Sequence, residues 1–201
     1  LRCEAVELCL LDGDGHETRL AVTQRTAHIW HTYLPGVGAG QRYGYRIHGP
    51  WDPSRGALFN PAKFLLDPYA KTIDGHADTA DPRLSALDSH GHLSLEDSLP
   101  AMSASVVTDP HFAWGDDRPL ATPWSETIIY EAHVRGFTKR HPDIPEHLRG
   151  TYAGLADPAT VEHLTSLGVT ALELLPIHHI ADEPMLLRRG MRNYWGYNSF
   201  G

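Results

Sequence analysis

Cysteine is almost missing from this chain: only Cys3 and Cys9 occur in 201 residues, too few for a disulfide framework. They sit six positions apart in one expected strand region, poorly placed to bridge each other, and a reducing, cytoplasmic setting is the expectation. Long apolar runs are missing too; none reaches the ~18 residues that a membrane-crossing helix needs. Positive charge is scarce. Lys and Arg number 17 against 25 Asp and Glu, a net charge of -8, which argues against nucleic acid or an anionic membrane surface as partner. There is no internal repeat and no low-complexity tract. A hydrophobic content of 41% with 21% charged residues describes a globular chain, not a disordered one. Leu1 is not an initiator Met, which leaves room for an upstream leader.

What is present begins as short strands and turns. VELCLL (6–11) alternates and meets the turn cluster DGDG (12–15); ETRLAV (17–22) is a second strand and AHIWHTYL (27–34) a third. The loop PGVGAG (35–40) lacks the Lys-Ser/Thr ending of a phosphate-binding loop. In QRYGYRI (41–47), Arg42, Gly44 and Arg46 lie opposite Tyr43, Tyr45 and Ile47. Strands so short and closely spaced predict an antiparallel, immunoglobulin-like β-sandwich. Residues 60–75 read as a segment packed across a surface, and 76–124, rich in Asp, Ser, His, Gly and Pro, as linker and loops.

The character changes at Thr127. TIIYEAHV (127–134) is rich in β-branched residues and reads as a strand, followed by a long loop over 135–155. Asp157 as N-cap, Pro158 in the first turn and Gly168 as stop predict a helix with Val161, Leu164 and Leu167 on one face. Residues 169–176 are a second buried strand. Strand, helix, strand is a βαβ unit with a parallel pair. After it comes NYWGYNSF (193–200), an aromatic cluster in a loop beyond a strand's C-terminal end, where (β/α)8 barrels build their active sites. Flat aromatic faces beside polar groups suit the apolar face of a sugar ring, so this loop points to carbohydrate chemistry.

The other chemistry-bearing residues read better as structure. Glu131 and Glu173 each sit in a strand, where single carboxylates usually serve structural hydrogen bonds. Asp182 and Glu183 read as solvated loop charges. The adjacent His178 and His179 point to opposite faces, and His90 and His92 lack a third ligand, so no metal site is expected. His133 reads as a hydrogen-bonded core histidine. Trp30 lies in an alternating strand and Trp51 follows Gly49-Pro50; both read as packing residues.

Several long motifs in order carry a resemblance. RYGYRIHGPWDPSRGALFNPAKFLLDPYAKTIDG (42–75) resembles the end of the N-terminal sandwich of isoamylase-type glycogen debranching enzymes, of the α-amylase superfamily. IIYEAHVRGFT (128–138) resembles their first barrel strand, GTYAGLADPATVEHLTSLGVTALELLPIH (150–178) their first helix and second strand, and NYWGYNSFG (193–201) the loop after it. The resemblance implies a multi-domain fold: a glycan-binding-associated β-sandwich over 1–105 with its first strand missing, a linker over 106–124, and over 125–201 the start of a catalytic (β/α)8 TIM barrel. It also implies hydrolysis of α-1,6-glucosidic branch points in glycogen, limit dextrin or starch-like malto-oligosaccharides, by a retaining mechanism without an organic cofactor. The family's aspartate nucleophile, glutamate acid/base and second aspartate fall on later strands. No catalytic residue is therefore assigned, and the 201 residues alone are expected to be inactive. In the wider superfamily the tyrosine of this loop's Gly-Tyr pair stacks on the sugar beside the scissile bond; that residue here is Tyr197, with Trp195 a second substrate-binding candidate. A trehalose-releasing hydrolase, a branching enzyme or a non-catalytic glycan-binding protein are the alternatives.

Overall fold

In the computed structural model, residues 3–199 are described, and they gather into two compact units, one from 3–111 with 181–192, the other from 112–180 with 193–199. No helix among them is long and apolar enough to cross a membrane.

The first unit is mostly β-sheet. β1 (Ala5–Leu11) and β2 (Glu17–Val22) form a hairpin whose turn is closed by Asp12: its Oδ1 accepts the backbone N–H of Asp14 (2.9 Å) and of His16 (2.8 Å). β3 (Gln24–Thr26) and β4 (Ile29–His31) make a separate two-stranded ribbon. β5 (Arg42–His48) pairs antiparallel with the free side of β1. β6 (Trp51–Asp52) and β7 (Ala57–Leu58) form a small hairpin. β8 (Thr72–Asp74) and β9 (Ala104–Val106) complete a five-stranded antiparallel sheet in the order β2-β1-β5-β9-β8.

Both faces of this sheet are covered, as the sequence of β1 requires. Val6 and Leu8 join Val22, with Tyr43, Tyr45, Ile47 and Trp30 packed against them, on one face. Cys9 and Leu11 meet Phe64 and Ala104 on the other. The alternation expected in β5 holds, but the side of Gly44 and Arg46 does not face water. The chain after β7 crosses it, tied by paired backbone hydrogen bonds between Tyr45 and Leu65 (2.8 Å each way). Asn60 holds this crossing segment by donating to the Ser94 carbonyl (2.8 Å), and the Phe64 N–H donates to Ser98 Oγ (2.8 Å). Gly44 is there because nothing larger fits: a Cβ would lie 2.2 Å from the Phe64 ring and 2.7 Å from the Leu65 carbonyl oxygen.

Beside it Arg46, 1% exposed, is fully engaged. It donates to both oxygens of Glu17 (2.6 and 3.0 Å), to Asp97 (2.8 Å) and to the Pro61 carbonyl (3.0 Å). Burial opposes ionisation of Glu17, but the hydrogen bonds from Arg46, Cys9 and Arg19 win and hold its carboxyl down at about 2.

Sequence patterning missed three features here. The strand expected over 27–34 shrinks to Ile29–His31, and its partner β3 is a run of exposed residues with no apolar signature. β9 arises inside the expected loop region because three residues, Ala-Ser-Val, are too few to show a period. The segment 181–192 carries a short helix, and the Thr79 hydroxyl donates to the Asp182 carbonyl.

In the second unit β10 (Ile129–His133) and β11 (Ala171–Leu175) are parallel, in the register Glu131 to Glu173. Between them lie α1 (Val134–Thr138), α2 (Tyr152–Leu155) and α3 (Pro158–Ser166); the fourth helix, α4 (Pro184–Leu187), belongs to the first unit. The region read as one long loop thus holds two short helices, fastened where Thr138 Oγ1 accepts the Gly150 N–H (2.8 Å). α3 starts as expected, with the Asp157 carboxylate accepting the Ala159 N–H (3.0 Å) and Pro158 in the first turn. Its buried face is only partly the expected one: Leu164 is buried, but with Thr160, whereas Val161 is 49% and Leu167 53% exposed. The i, i+4 pair faces inward because the Thr160 hydroxyl finds a partner there, the Gly154 carbonyl at 2.7 Å.

Two measurements check this account. Gly44→Ala should cost about 2–3 kcal/mol, because backbone as well as a ring must move; an unchanged urea midpoint would contradict the close approach. Glu17→Gln should cost about 3 kcal/mol at neutral pH by leaving Arg46 partly unpaired in the interior. The folded-state pKa is depressed, so the wild type's advantage is complete above the ordinary 4.5 and fades as pH falls toward about 2. Urea unfolding on either side of that window should show the gap closing; a constant gap counts against the pair.

Candidate functional site

The loop beyond β11 is built by local turns and one cluster of rings. Asn193 Oδ1 accepts the Gly196 N–H at 2.7 Å, closing an Asx turn. Gly196 is buried at φ +78, with Pro176 Cγ only 3.2 Å from where a Cβ would stand. An antiparallel bridge between Ile180 and Ser199 ties the two ends of the excursion together. The last residue of the aromatic motif, Phe200, lies outside the described residues.

His133 ends β10 and caps α1: its Nδ1 accepts the Gly136 N–H at 3.1 Å. The imidazole stacks on Tyr194 (centroids 4.7 Å, planes 22° apart) and meets Trp195 edge-on (5.7 Å, 77°). Tyr194 and Trp195 pack against each other at 5.3 Å and 83°. Gly136 leaves room for this arrangement, since a Cβ there would stand 2.7 Å from the Tyr194 hydroxyl. Tyr197 differs from its neighbours: it is 65% exposed and stacks on no other ring among the described residues. Trp195 keeps 60% of its surface open. The two sequence candidates therefore lie two residues apart on one fixed loop, at the end of the parallel pair that the βαβ pattern anticipates. The role of His133 in this cluster was not visible in advance, because Tyr194 is 61 positions away; the only local signal was a glycine three residues after it, at cap spacing.

The carboxylates fall as follows. Glu131 and Glu173 stand side by side on one face, both exposed, with no hydrogen bond among the described residues, which replaces the structural hydrogen bonds expected for them. Asp182 is not a solvated loop charge: it is 7% exposed and accepts a hydrogen bond from Arg192 Nη1 at 2.8 Å. Trp30 packs against the sheet, with the Arg25 guanidinium 5.4 Å above its ring. His90 and His92 stack on each other at 6.4 Å. Asp12, Asp14 and His16 bring possible ligand atoms within 4.8 Å of one another, all exposed. Asp12 is already spent on closing its own turn, and Arg42 donates to the adjacent carbonyl of Gly13 (3.3 Å).

Residues 2–70 match the family described as carbohydrate-binding module 48 (isoamylase N-terminal domain). The chain is 52% identical, over 97% of its length, to a glycogen debranching enzyme of Yersinia pseudotuberculosis serotype IB (strain PB1/+), and spans 29% of that protein. It is 49% identical, over 98% of its length, to a glycogen operon protein GlgX homolog of Mycobacterium tuberculosis (strain CDC 1551 / Oshkosh), spanning 28% of it. Among solved structures it is similar to the pullulanase of Anoxybacillus sp. LM18-11 complexed with maltotetraose (TM-score 0.63, 21% identity, 97% of this chain and 25% of that one). It is likewise similar to the pullulanase of Paenibacillus barengoltzii in complex with maltohexaose and alpha-cyclodextrin (TM-score 0.64, 23% identity, 98% and 28%); at these identities the likeness is one of fold. The chain thus spans under a third of the curated relatives it matches. The resemblance to isoamylase-type glycogen debranching enzymes, read first from the motifs, extends over nearly all of the chain.

Gly196→Ala should loosen the loop by about 1–2 kcal/mol, since an alanine must adopt the left-handed backbone and press on Pro176. Hydrogen exchange at 194–197 should quicken while β1 and β5 keep their protection; unaltered exchange would show that the turn does not depend on this glycine.

Proposed function

We propose that these residues belong to a glycoside hydrolase that cleaves α-1,6-glucosidic branch points of glycogen or limit dextrin with retention of configuration. The observation that carries this is the 52% identity over 97% of the chain to a protein named glycogen debranching enzyme. On this reading residues 1–105 are a β-sandwich of the glycan-binding-associated type, 106–124 a linker, and 125–201 the opening units of a (β/α)8 barrel. The parallel β10–β11 pair, joined through α3, is the connection such a barrel repeats. The aromatic loop then stands at the C-terminal end of the second strand, the side on which barrel enzymes work.

Tyr197 stacks on a glucosyl ring and Trp195 flanks it, both exposed on a loop whose shape is set by Asn193, Gly196 and His133. Retaining hydrolysis needs a nucleophilic carboxylate and a proton-donating one about 5–5.5 Å apart. The proposal places both outside these 201 residues and asks for no organic cofactor, because carboxyl groups perform both attack and proton transfer. The enzyme works in the cytoplasm on glycogen, starch-like or malto-oligosaccharide substrates.

The test is expression of the whole reading frame that contains these residues. It should release reducing ends from glycogen limit dextrin, and Tyr197→Ala should lower kcat/KM about tenfold, the loss of one stacking contact. The 201 residues alone should release none. Release from linear amylose but not from branched dextrin would overturn the branch-point assignment.

A further inference from the structure

We propose that His133 is a positioning residue for the sugar-facing loop, acting as a neutral imidazole with its proton on Nε2. This rests on the reading that the loop binds glucan, and it adds a residue that does not itself touch the sugar.

The chemistry of one hydrogen bond fixes the protonation state. The Gly136 backbone N–H can only donate, so His133 Nδ1, 3.1 Å away, must present a lone pair. An imidazolium carries hydrogens on both nitrogens and cannot accept there. While that hydrogen bond is made the ring is neutral, with its single hydrogen on Nε2.

The same hydrogen bond fixes where the ring lies. His133 is held at its backbone by β10 and at Nδ1 by the first turn of α1, leaving the imidazole little freedom to rotate. Its flat face receives Tyr194 at 4.7 Å and 22°, and Trp195 packs against it at a steep angle, 5.7 Å and 77°. Tyr194 is further set by the lack of a side chain at Gly136. Two consecutive loop residues are thus registered against one ring from another strand. The next residue, Gly196, is pinned by Asn193 and Pro176, and the one after it is Tyr197. His133 and the Asx turn between them determine where the two open aromatic faces stand. Without the ring, Tyr194 loses its stacking partner and the 193–199 turn loses its tie to the end of β10.

Two substitutions divide the ring from the nitrogen. Asparagine caps helices well and keeps an acceptor for the Gly136 N–H, but removes the stack. Phenylalanine keeps a flat ring and removes the acceptor. In the whole expressed protein, His133→Asn should raise KM for branched maltodextrin about tenfold. His133→Phe should raise it less, about threefold, with faster exchange of the Gly136 amide. Both should quicken exchange of the Gly196 amide with an unchanged melting temperature. In protein labelled with 15N-histidine, His133 should show an unprotonated Nδ1 and a protonated Nε2 near neutral pH.

A hydrogen on Nδ1 at that pH, or KM values equal to wild type in both variants, would overturn the proposal. So would equal falls in KM-independent turnover and melting temperature, the mark of a general packing role. If the wild type acts on no α-glucan, the debranching reading fails by itself. The positioning role is then judged by Gly196 exchange alone: faster in both variants supports it, unchanged refutes it.

Discussion

A single buried cation organises the β-sheet unit. Arg46 sits at the middle of β5 with 1% of its surface exposed, and a guanidinium there is tolerable only if every approach is met by an acceptor. Those acceptors come from three places in the sequence: Glu17 on β2, the Pro61 carbonyl in the crossing segment, and Asp97. Satisfying one side chain therefore draws in chain up to 51 positions away from it. The same constraint explains two neighbours. Gly44, two residues before Arg46 on the same face, gives its space to Phe64 so that the crossing segment can come close enough for Pro61 to reach the guanidinium. Cys9, opposite Gly44 in the register, lies beside Glu17; burial and then the adjacent carboxylate push its thiol up to about 12, so it stays protonated and inert.

The sequence disclosed those parts of the fold whose cause is local. The hairpin of β1 and β2, the alternation of β5, and the capped start of α3 each follow from a few adjacent residues, and each is present. What it hid depends on partners far along the chain. Nothing in Ala104-Ser-Val marks a strand, because β9 exists only by virtue of lying between β5 and β8. The alternation of β5 could not tell whether the side of Gly44 and Arg46 is open or covered, since both carry the same period; only the 60–65 segment decides between them. Asp182 looked like a loop charge for the same reason: its burial and its pairing with Arg192, ten residues on, leave no mark on the residues around it.

The aromatic loop shows the same division. Its aromatic composition and its position after a strand could be read from consecutive residues. The inequality among its rings could not. Tyr194, Trp195 and Tyr197 read alike as letters, yet one is stacked on the imidazole, one meets it at a steep angle, and one stacks on no ring among the described residues. That ranking is imposed by His133, whose contribution needs β10 and β11 to be neighbours first.

This ordering bears on how such a loop can hold a flexible ligand. An aromatic ring on a mobile loop must lose its own freedom on binding, and that loss offsets much of what stacking gains. Here the cost is met during folding. Tyr194 is consumed as an anchor, Gly196 accepts a left-handed backbone that other residues resist, and Asn193 spends its side chain on the turn rather than on a ligand. Three of the five residues from 193 to 197 are thus committed to shape, so that Trp195 and Tyr197 can present open faces in a nearly fixed geometry. On the proposed reading, affinity at this site depends as much on the residues that never meet the sugar as on the two that do, and the imidazole of His133 is the point where that dependence enters from outside the loop.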